Sequence, residues 1–332
     1  MILAGDVGGT KCNLALFREE GSALLPVFQR RLATRDYAGF EDMVEDFLKQ
    51  APPNQNSAQP LIDAAGFGVA GVVAAGRHHS ENLPWVVDVA PLTRKLKLKT
   101  ITLLNDIIAT ALSLEKLSAT DFVVLNPGVP AAHATRMVIT AGTGLGEALL
   151  FWDGKKYHPA PAEGGQTDFA PRTEREIQLL HHLTPRLPQV SYEEIVSGRG
   201  FRRIHEFLNP AVRHESFDSP TGNAAGEITQ RGLAKSCSVC VETLDFWTEM
   251  FASAIGNFAL HTMSLGGIYI AGGIPLKILP KLQTETFFKS YCGNNKLGQM
   301  LARIPISIVL NEDAPMLGAA HEALMTRNIS NV

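Results

Sequence analysis

The sequence predicts an α/β fold made of two similar halves around a cleft. Strand-like apolar runs alternate with helical patterns along the chain, which is typical of α/β layering. In addition, each half contains an apolar strand followed by a glycine turn, at residues 8–10 and again at residues 142–144. Backbone amides in such turns can hold phosphate oxygens, so the pair predicts that the protein grips a polyphosphate from two sides.

The first half should open with a hairpin around the first glycine turn. Helical spacing then places Phe40, Met43, Val44 and Phe47 on one face of a helix over residues 39–50. A loop follows over residues 51–57, where proline, asparagine and serine are frequent. The predicted strands of this half are 2–7, 12–17, 24–33, 62–70 and 100–104, and a helix over 107–117 follows the last of them.

The second half repeats this arrangement with longer helices. A long helix over residues 236–264 should bury a stripe that includes Leu244, Trp247 and Phe251. The predicted strands are 122–125, 137–140, 146–152, 267–271 and 304–310. The predicted helices are 173–182, 191–196, 199–208, 224–234, 236–264 and one from Met316 onward.

The composition excludes several classes of partner. The 332 residues carry a net charge of −3 and a pI near 6.4, so we expect no nucleic-acid partner. No apolar stretch reaches the roughly 18 residues that a membrane span needs, so we expect no membrane association. The four cysteines form no dense framework, which predicts a cytoplasmic protein.

Cys237 and Cys240 have the spacing of a metal-binding pair. No second cysteine or histidine pair follows at a suitable sequence distance, and both residues fall in a predicted helix. We therefore expect these two cysteines to pack in the core.

The first glycine turn is preceded by an acidic residue. Gly8 and Gly9 leave room for phosphate, and Thr10 adds a hydroxyl donor. Asp6 could hold Mg²⁺, through water, because Mg²⁺ keeps much of its hydration shell. The alternative is an ordinary glycine hairpin in which Asp6 caps the turn.

The second glycine turn, at Gly142, Thr143 and Gly144, is neither a Walker A loop nor a Rossmann turn. No GxxxxGK[ST] motif is present, and the chain continues as a strand rather than opening a helix. Gly272 and Gly273 follow a later strand and would leave room for a base or ribose, although a plain strand-to-helix turn is the alternative.

Polar residues at several loops fit a sugar site. Asp106 follows a strand and could accept a proton from a hydroxyl, while Asn105 could bind adjacent hydroxyls. Glu163, Gln166 and Glu193 add carboxylates and an amide. The alternatives are an N-cap role for Asp106 and a first-turn helix role for Glu193.

Taken together, the chain resembles the bacterial glucokinases, in the ATP-dependent branch without a zinc motif. The stretches that carry the resemblance are, in order, residues 3–10 (LAGDVGGT), 82–85 (NLPW), 105–106 (ND), 141–146 (AGTGLG), 163–165 (EGG), 168–171 (DFAP), 197–198 (SG) and 271–274 (AGGI). Each is weak alone, but their order and spacing make a specific set. It covers the chain nearly from end to end.

The resemblance implies two ribonuclease H-like domains of the actin and hexokinase type that flank a cleft. The small domain would comprise residues 1–110 plus 311–332, and the large domain residues 111–310. The implied reaction is transfer of the ATP γ-phosphoryl group to the 6-hydroxyl of glucose, with Mg²⁺ as a further cofactor and a homodimer as the assembly.

The resemblance also assigns roles to residues. Asp106 is the catalytic base. The implied sugar contacts are Asn82, Asn105, Asp106, Glu163, Gln166 and Glu193. The implied nucleotide contacts are Gly5, Asp6, Val7, Gly8, Gly9, Thr10, Gly142, Thr143, Gly144, Gly272 and Gly273, and Asp6 is the magnesium residue.

One residue departs from the family pattern. The family usually has histidine where this chain has Gln166, and that histidine contacts the sugar. Glutamine can still donate and accept hydrogen bonds but carries no positive charge. A kinase for another hexose therefore stays open, as does a sugar-binding regulator without catalysis. No helix-turn-helix precedes the first strand, which argues against a DNA-binding regulator.

Overall fold

The computed structural model describes residues 1–21, 23–53, 60–79, 83–219, 222–293 and 296–330. The chain forms two compact units, Met1–Asp121 with Asn311–Val332, and Phe122–Leu310. Among the described residues, no helix has the length and apolar character that crossing a membrane would require.

The first unit is built on a five-stranded sheet. Its elements up to residue 113 are β1 (Ile2–Val7), β2 (Lys11–Glu20), β3 (Ala23–Ala33), α1 (Phe40–Gln50), β4 (Ala64–Val69), β5 (Val72–Ala74), β6 (Arg77–His79), α2 (Val89–Leu96), β7 (Ile101–Asn105) and α3 (Asp106–Ser113). The strand order is β3-β2-β1-β4-β7, and β5 pairs with β6 separately.

The parallel strands of this sheet bring two predicted site residues to one edge. β1 is parallel to β4 and β4 to β7, with Asp6 level with Gly68 and Gly68 level with Leu104. Strands lie about 4.8 Å apart, so β1 and β7 are separated by roughly 10 Å. Asp6 and Asp106 therefore lie at the same carboxyl edge of the sheet.

Helix α1 covers one face of the sheet as its sequence pattern predicts. Phe40, Met43, Val44 and Phe47 are all fully buried. The Phe40 ring meets the Phe67 ring edge-on at 4.9 Å, a favourable aromatic geometry.

The second unit is built on a six-stranded sheet with a layer of helices. Its elements are β8 (Phe122–Asn126), β9 (Arg136–Ala141), β10 (Leu145–Trp152), β11 (Tyr157–Ala162), α4 (Glu174–Leu183), α5 (Tyr192–Ile195), α6 (Gly198–Leu208), α7 (Glu215–Asp218), α8 (Ala224–Leu233), α9 (Ser238–Thr262), β12 (Gly267–Ala271), α10 (Gly273–Lys277), α11 (Leu279–Leu282), α12 (Glu285–Cys292), α13 (Gly298–Ala302) and β13 (Ile306–Val309). The strand order is β11-β10-β9-β12-β13-β8.

Helix α9 forms the centre of this unit's core. Leu244, Trp247 and Phe251 are fully buried, which confirms the predicted apolar stripe. The Trp247 ring stacks on Phe201 of α6 with centroids 4.8 Å apart. Helices α6 and α9 are thus held together by aromatic packing.

The C-terminal helix, α14 (Ala314–Ser330), returns to the first unit and packs on β4 and α3. A Cβ on Gly66 would lie 2.1 Å from the Ala319 carbonyl oxygen, and one on Gly318 would lie 1.7 Å from the Ala109 carbonyl oxygen. Only glycine permits these approaches. The helix that begins at Asp106 is therefore fixed against α14.

Several elements differ from the sequence prediction. Helix α3 ends at Ser113 rather than at residue 117, and α14 begins two residues before Met316. The β5–β6 pair, α2, β11 and the short helices α7 and α10 to α13 were not predicted. The sequence predicts a domain boundary at residues 110–111, which lies inside α3. The division into a small domain (1–110 plus 311–332) and a large domain (111–310) stays a prediction.

Candidate active site

Thr34 holds the first glycine turn, at residues 8–10, through two hydrogen bonds. The Gly8 amide donates to the Lys11 carbonyl at 3.1 Å. The Thr34 amide donates to the Thr10 carbonyl at 3.1 Å, and the Thr34 hydroxyl donates to the Gly8 carbonyl at 2.7 Å. Gly9 and Thr10 are exposed. Hydrogen bonds therefore fix the turn on the side of Thr34, while Gly9 and Thr10 stay open to solvent.

Two predicted nucleotide contacts beside this turn are buried in β1. Val7 is fully buried, and Gly5 is also buried. A Cβ on Gly5 would lie 2.6 Å from a Leu14 methyl and 3.0 Å from the Phe67 ring. These contacts account for glycine at position 5 through packing.

Asp6 is a half-buried acid beside the same turn. Asn13 Nδ2 donates to Asp6 Oδ2 at 3.4 Å, and Arg31 Nε donates to Asn13 Oδ1 at 3.0 Å. Burial raises the pKa of Asp6 to about 6, with Asp313 adding to the rise and Asn13 opposing it. A divalent cation would favour the ionised form, so the carboxyl fits the predicted magnesium role.

Asp106 occupies the first position of α3, and Asn105 is the N-cap. Asn105 Oδ1 accepts from the amides of Ile107 at 2.9 Å and Ile108 at 3.3 Å, and its Nδ2 donates to the Gly71 carbonyl at 3.0 Å. Asp106 Oδ1 accepts from the Ile107 amide at 3.0 Å. The capping role considered for Asp106 thus belongs mainly to Asn105. Asn82, a predicted sugar contact, lies outside the described residues.

The second glycine turn, at residues 142–144, joins β9 to β10 and is held by a carboxylate. The Gly142 amide donates to the Gly144 carbonyl at 2.9 Å. Glu193 Oε2 accepts from the Leu145 amide at 3.0 Å. A Cβ on Gly144 would lie 2.6 Å from the same oxygen, so glycine is needed here for Glu193 to approach.

Glu193 is in turn paired with α6. Arg199 Nη2 donates to Glu193 Oε1 at 2.5 Å. The amide of Gly198, at the start of α6, donates to the Gly142 carbonyl at 2.8 Å. Glu193 and the N-terminus of α6 therefore contact the turn together.

The loop that carries Glu163 and Gln166 is tied to the segment before Glu193. The Tyr192 amide donates to the Thr167 carbonyl at 3.0 Å, and Gln189 Nε2 donates to the Gln166 carbonyl at 3.2 Å. Glu163 and Gln166 are exposed; Glu163 precedes a 3₁₀ turn over Gly164–Gln166, and Gln166 ends it. The structure thus brings three predicted sugar contacts of this unit to one region beside the second glycine turn.

Gly272 and Gly273 lie next to this turn. β12 pairs in parallel with β9, with Ala271 level with Thr140. Gly272 has φ +98°, and a Cβ there would lie 2.5 Å from the Ala141 carbonyl oxygen. A Cβ on Gly142 or Gly273 would meet no atom within 4 Å, so both residues border open space. This region fits a nucleotide that needs close backbone approach.

A family model described as glucokinase matches residues 3–326 of the chain. The chain belongs to the glucokinase family. This confirms the resemblance found in the sequence and the enzyme class it implied, an ATP-dependent hexose kinase.

Curated relatives agree over nearly the full length. The glucokinase of Nostoc sp. is 32% identical over 339 residues, with 96% of this chain and 98% of the relative covered. The glucokinase of Aromatoleum aromaticum is 34% identical over 318 residues, with 96% and 93% covered.

Solved structures share the glucokinase fold. A glucokinase from an Antarctic psychrotroph matches with a TM-score of 0.84 at 24% identity, covering 98% of both chains. A ROK family glucokinase from Streptomyces griseus, in complex with glucose and AMPPNP, matches with a TM-score of 0.63 at 19% identity, covering 98% of this chain and 99% of that one. These likenesses confirm the predicted fold class of two ribonuclease H-like α/β domains.

One buried acid beside the loop that carries Glu163 was missed by the sequence interpretation. Glu147 lies in β10 and is only 5% exposed. A Cβ on Gly164 would lie 1.9 Å from Glu147 Oε2, so the carboxyl lies directly against this glycine. Burial raises the pKa of Glu147 to about 7. In the sequence it reads as one residue of an otherwise apolar strand, so no local signal marked it.

Proposed function

We propose that this chain transfers the γ-phosphoryl group of ATP to the 6-hydroxyl of glucose and so forms glucose 6-phosphate and ADP. The observation that carries the proposal is the position of Asp106. It stands at the carboxyl edge of the sheet that also holds Asp6, while Asn105 provides the helix cap. Family membership supports the same reaction.

Asp106 acts as the general base. It accepts the proton of the 6-hydroxyl as that oxygen attacks the γ-phosphorus, and the bond to ADP breaks. General-base assistance of this kind is typically worth about 10²–10⁴ in rate. The rest of the catalysis comes from positioning and from stabilising charge on the transferred group.

The sugar is held by Asn82, Asn105, Glu163, Gln166 and Glu193. Asn105 keeps one Nδ2 proton after its bond to Gly71, and each carboxylate oxygen of Glu193 keeps a lone pair after its bonds to Leu145 and Arg199. Asn105 and Glu193 can therefore bind hydroxyls without giving up these bonds.

The phosphates are held by the turn at Gly8, Gly9 and Thr10 and by the turn at Gly142, Thr143 and Gly144. The base and ribose lie against Gly272 and Gly273. Asp6 would hold Mg²⁺ in part, through water, and the bound ion would supply positive charge to offset that of the phosphates. Chelation should abolish turnover, and added Mg²⁺ should restore it.

Gln166 bears on sugar affinity because the family usually has histidine there. We predict that Gln166→His tightens glucose binding or leaves it unchanged, since histidine can also donate and accept hydrogen bonds. Calorimetric titration with glucose measures this. Loss of binding would mean that the glutamine amide makes a contact that histidine cannot replace.

An ADP-release assay over a panel of sugars tests the proposed reaction. Glucose, fructose, mannose and N-acetylglucosamine serve as acceptors with ATP. With ADP or polyphosphate as the donor, formation of the sugar phosphate is measured instead, because neither of these donors releases ADP. Highest kcat/KM with glucose and ATP supports the proposal. A higher value with another sugar makes the protein a kinase for that hexose, and binding of glucose without turnover makes it a regulator.

We further propose that the enzyme acts in the cytoplasm, as a homodimer, and without nucleic acid or membrane. The four free cysteines support the cytoplasmic location. The small net charge supports the absence of a nucleic-acid partner. Cell fractionation and sedimentation of the purified protein test the location and the assembly.

A further inference from the structure

Four metal-ligating side chains meet inside the second unit, away from the residues assigned above. They are His205, His214, Cys237 and Cys240, and one ligand atom of each lies within 4.8 Å of the others. His205 is in α6, His214 immediately precedes α7, Cys237 is the N-cap of α9, and Cys240 is in the first turn of α9. Three separate parts of the helical layer therefore contribute.

The distances fit a small tetrahedral site. His214 Nε2 lies 3.1 Å from Cys240 Sγ and 3.8 Å from Cys237 Sγ. Around a tetrahedral zinc with Zn–S near 2.3 Å and Zn–N near 2.0 Å, neighbouring ligand atoms are roughly 3.3–3.8 Å apart. Small side-chain adjustments would bring the four atoms to that geometry.

His205 provides an independent indication of a ligand. The residue is fully buried, and neither of its ring nitrogens has a hydrogen-bond partner. Buried polar groups are nearly always paired, so two unpaired nitrogens on one buried ring call for a missing partner. A metal ion would satisfy one of them directly.

The surroundings resemble the outer shell of a structural metal site. The Phe217 ring packs edge-on against His205 at 5.0 Å and against His214 at 5.3 Å. On the other side, Glu227 Oε1 faces His214 Nδ1 at 3.9 Å. Carboxylates beside the second ring nitrogen commonly orient a ligating histidine, and an apolar wall excludes water.

We propose that His205, His214, Cys237 and Cys240 bind one Zn²⁺ in a closed, structural site. Two thiolates and two neutral imidazoles neutralise the ion, and binding releases the two thiol protons. Thiolate and imidazole ligands select zinc over Mg²⁺, so the site is chemically separate from the magnesium at ATP. Cys240 lies in the core and Cys237 packs against it, as the sequence predicted, and the two histidines reach them from earlier parts of the chain.

The ion would anchor the helix that holds the second glycine turn. α6 begins with Gly198 and Arg199, which bind Gly142 and Glu193, and it carries His205 two turns later. Zinc would therefore join the far end of α6 to the start of α9. It supports the site without contacting either substrate.

The test uses the full-length enzyme and zinc alone. Metal content is measured after purification with zinc, and affinity by competition with a chelating dye. Co²⁺ replaces zinc for spectroscopy, since thiolate ligands give intense charge-transfer bands. The variant is Cys240→Ser, with Cys292→Ser as the matched control, and circular dichroism reports whether each is folded.

One zinc per chain, thiolate bands with Co²⁺, and affinity more than about 100-fold weaker in Cys240→Ser but unchanged in Cys292→Ser are the expected results. Zinc that binds no tighter than micromolar to the wild-type protein would overturn the proposal, as would Co²⁺ spectra without thiolate bands. These wild-type measurements decide the matter even if Cys240→Ser does not fold.

Discussion

The turn at residues 8–10 and the turn at residues 142–144 are both glycine hairpins, but different groups hold them. A neutral hydroxyl from Thr34 supports the first, within the sheet of its own unit. A carboxylate from Glu193 supports the second, and Arg199 pairs with that carboxylate. Glu193 is also a proposed sugar contact, so under the proposed function one residue of the second unit would serve both a phosphate-binding turn and the sugar.

Each turn also has a buried acid near it, and the two acids differ in their support. Asp6 receives a hydrogen bond from Asn13, which partly offsets the rise of its pKa to about 6. For Glu147, burial alone raises the pKa to about 7. The first acid fits a cation-binding role, whereas the second lies against Gly164, beneath the loop that carries Glu163.

Because their glycine turns have different supports, the two units should respond differently to mutation. A change at the support of the first turn should affect ATP alone. A change at the support of the second turn should affect ATP and glucose together. Each of the following substitutions removes one side-chain group.

Among the substitutions that remove a support of a turn or a buried acid, the largest effect is expected for Glu193→Ala. The change removes the acceptor of the Leu145 amide and the nearer carboxylate partner of Arg199, and so frees the second turn. Hydrogen bonds to a charged group are typically worth about 1.5–3 kcal/mol. We expect kcat/KM to fall about 100-fold for glucose and for ATP alike. Steady-state kinetics with each substrate varied measure this.

The adjacent Glu194→Ala is the matched control for Glu193→Ala. Glu194 pairs mainly with Arg203 and more distantly with Arg199, at 3.7 Å, so its loss should change kcat/KM by less than about tenfold. A Glu193 variant impaired toward only one substrate would refute the shared support.

The next effect concerns stability at Glu147. An acid whose pKa rises on folding holds its proton more tightly in the folded state, so it lowers stability as pH rises from its unfolded value of 4.5 to about 7. Glu147→Gln should therefore gain up to about 3 kcal/mol of unfolding free energy at alkaline pH, relative to its effect at acid pH.

Urea unfolding of the Glu147→Gln variant and the wild type at both pH values measures this difference. The exposed Glu174→Gln serves as the control and should show no pH-dependent gain. An equal effect of Glu147→Gln at acid and alkaline pH would show that the buried carboxyl is not the cause.

The smallest effect is expected for Thr34→Val. It removes the hydroxyl bond to the Gly8 carbonyl at similar side-chain volume, a loss of about 1 kcal/mol. We expect KM for ATP to rise about fivefold, with KM for glucose unchanged. Thr243→Val removes a comparable buried hydroxyl bond within α9 and should leave both KM values unchanged.

Much of the fold could be predicted from the sequence because its signals are local. β1 and β2 are apolar runs on either side of a glycine turn, and the helical stripes of α1 and α9 follow from burial on one face. β11 was missed because its prolines at 159 and 161 argue against a strand, yet β11 lies at the sheet edge, where proline is tolerated.

The site was less predictable because its contacts are distant in sequence. The glycine turns and the start of α3 have local signatures, but the bond from Glu193 to Leu145 spans 48 residues. The partners of Cys237 and Cys240 precede them by more than twenty residues, outside the spacing of common zinc motifs. Only the folded chain brings those groups together.

The substitution Asp106→Ala tests most directly whether Asp106 takes the proton of the attacking hydroxyl. ADP release gives kcat, and calorimetry gives glucose affinity. Asp88→Ala, which removes the N-cap carboxylate of α2, controls for a merely structural loss. We predict that Asp106→Ala lowers kcat at least about 100-fold with glucose binding largely kept, while Asp88→Ala keeps its kcat. An Asp106→Ala enzyme that retains more than about a tenth of wild-type kcat would contradict the account.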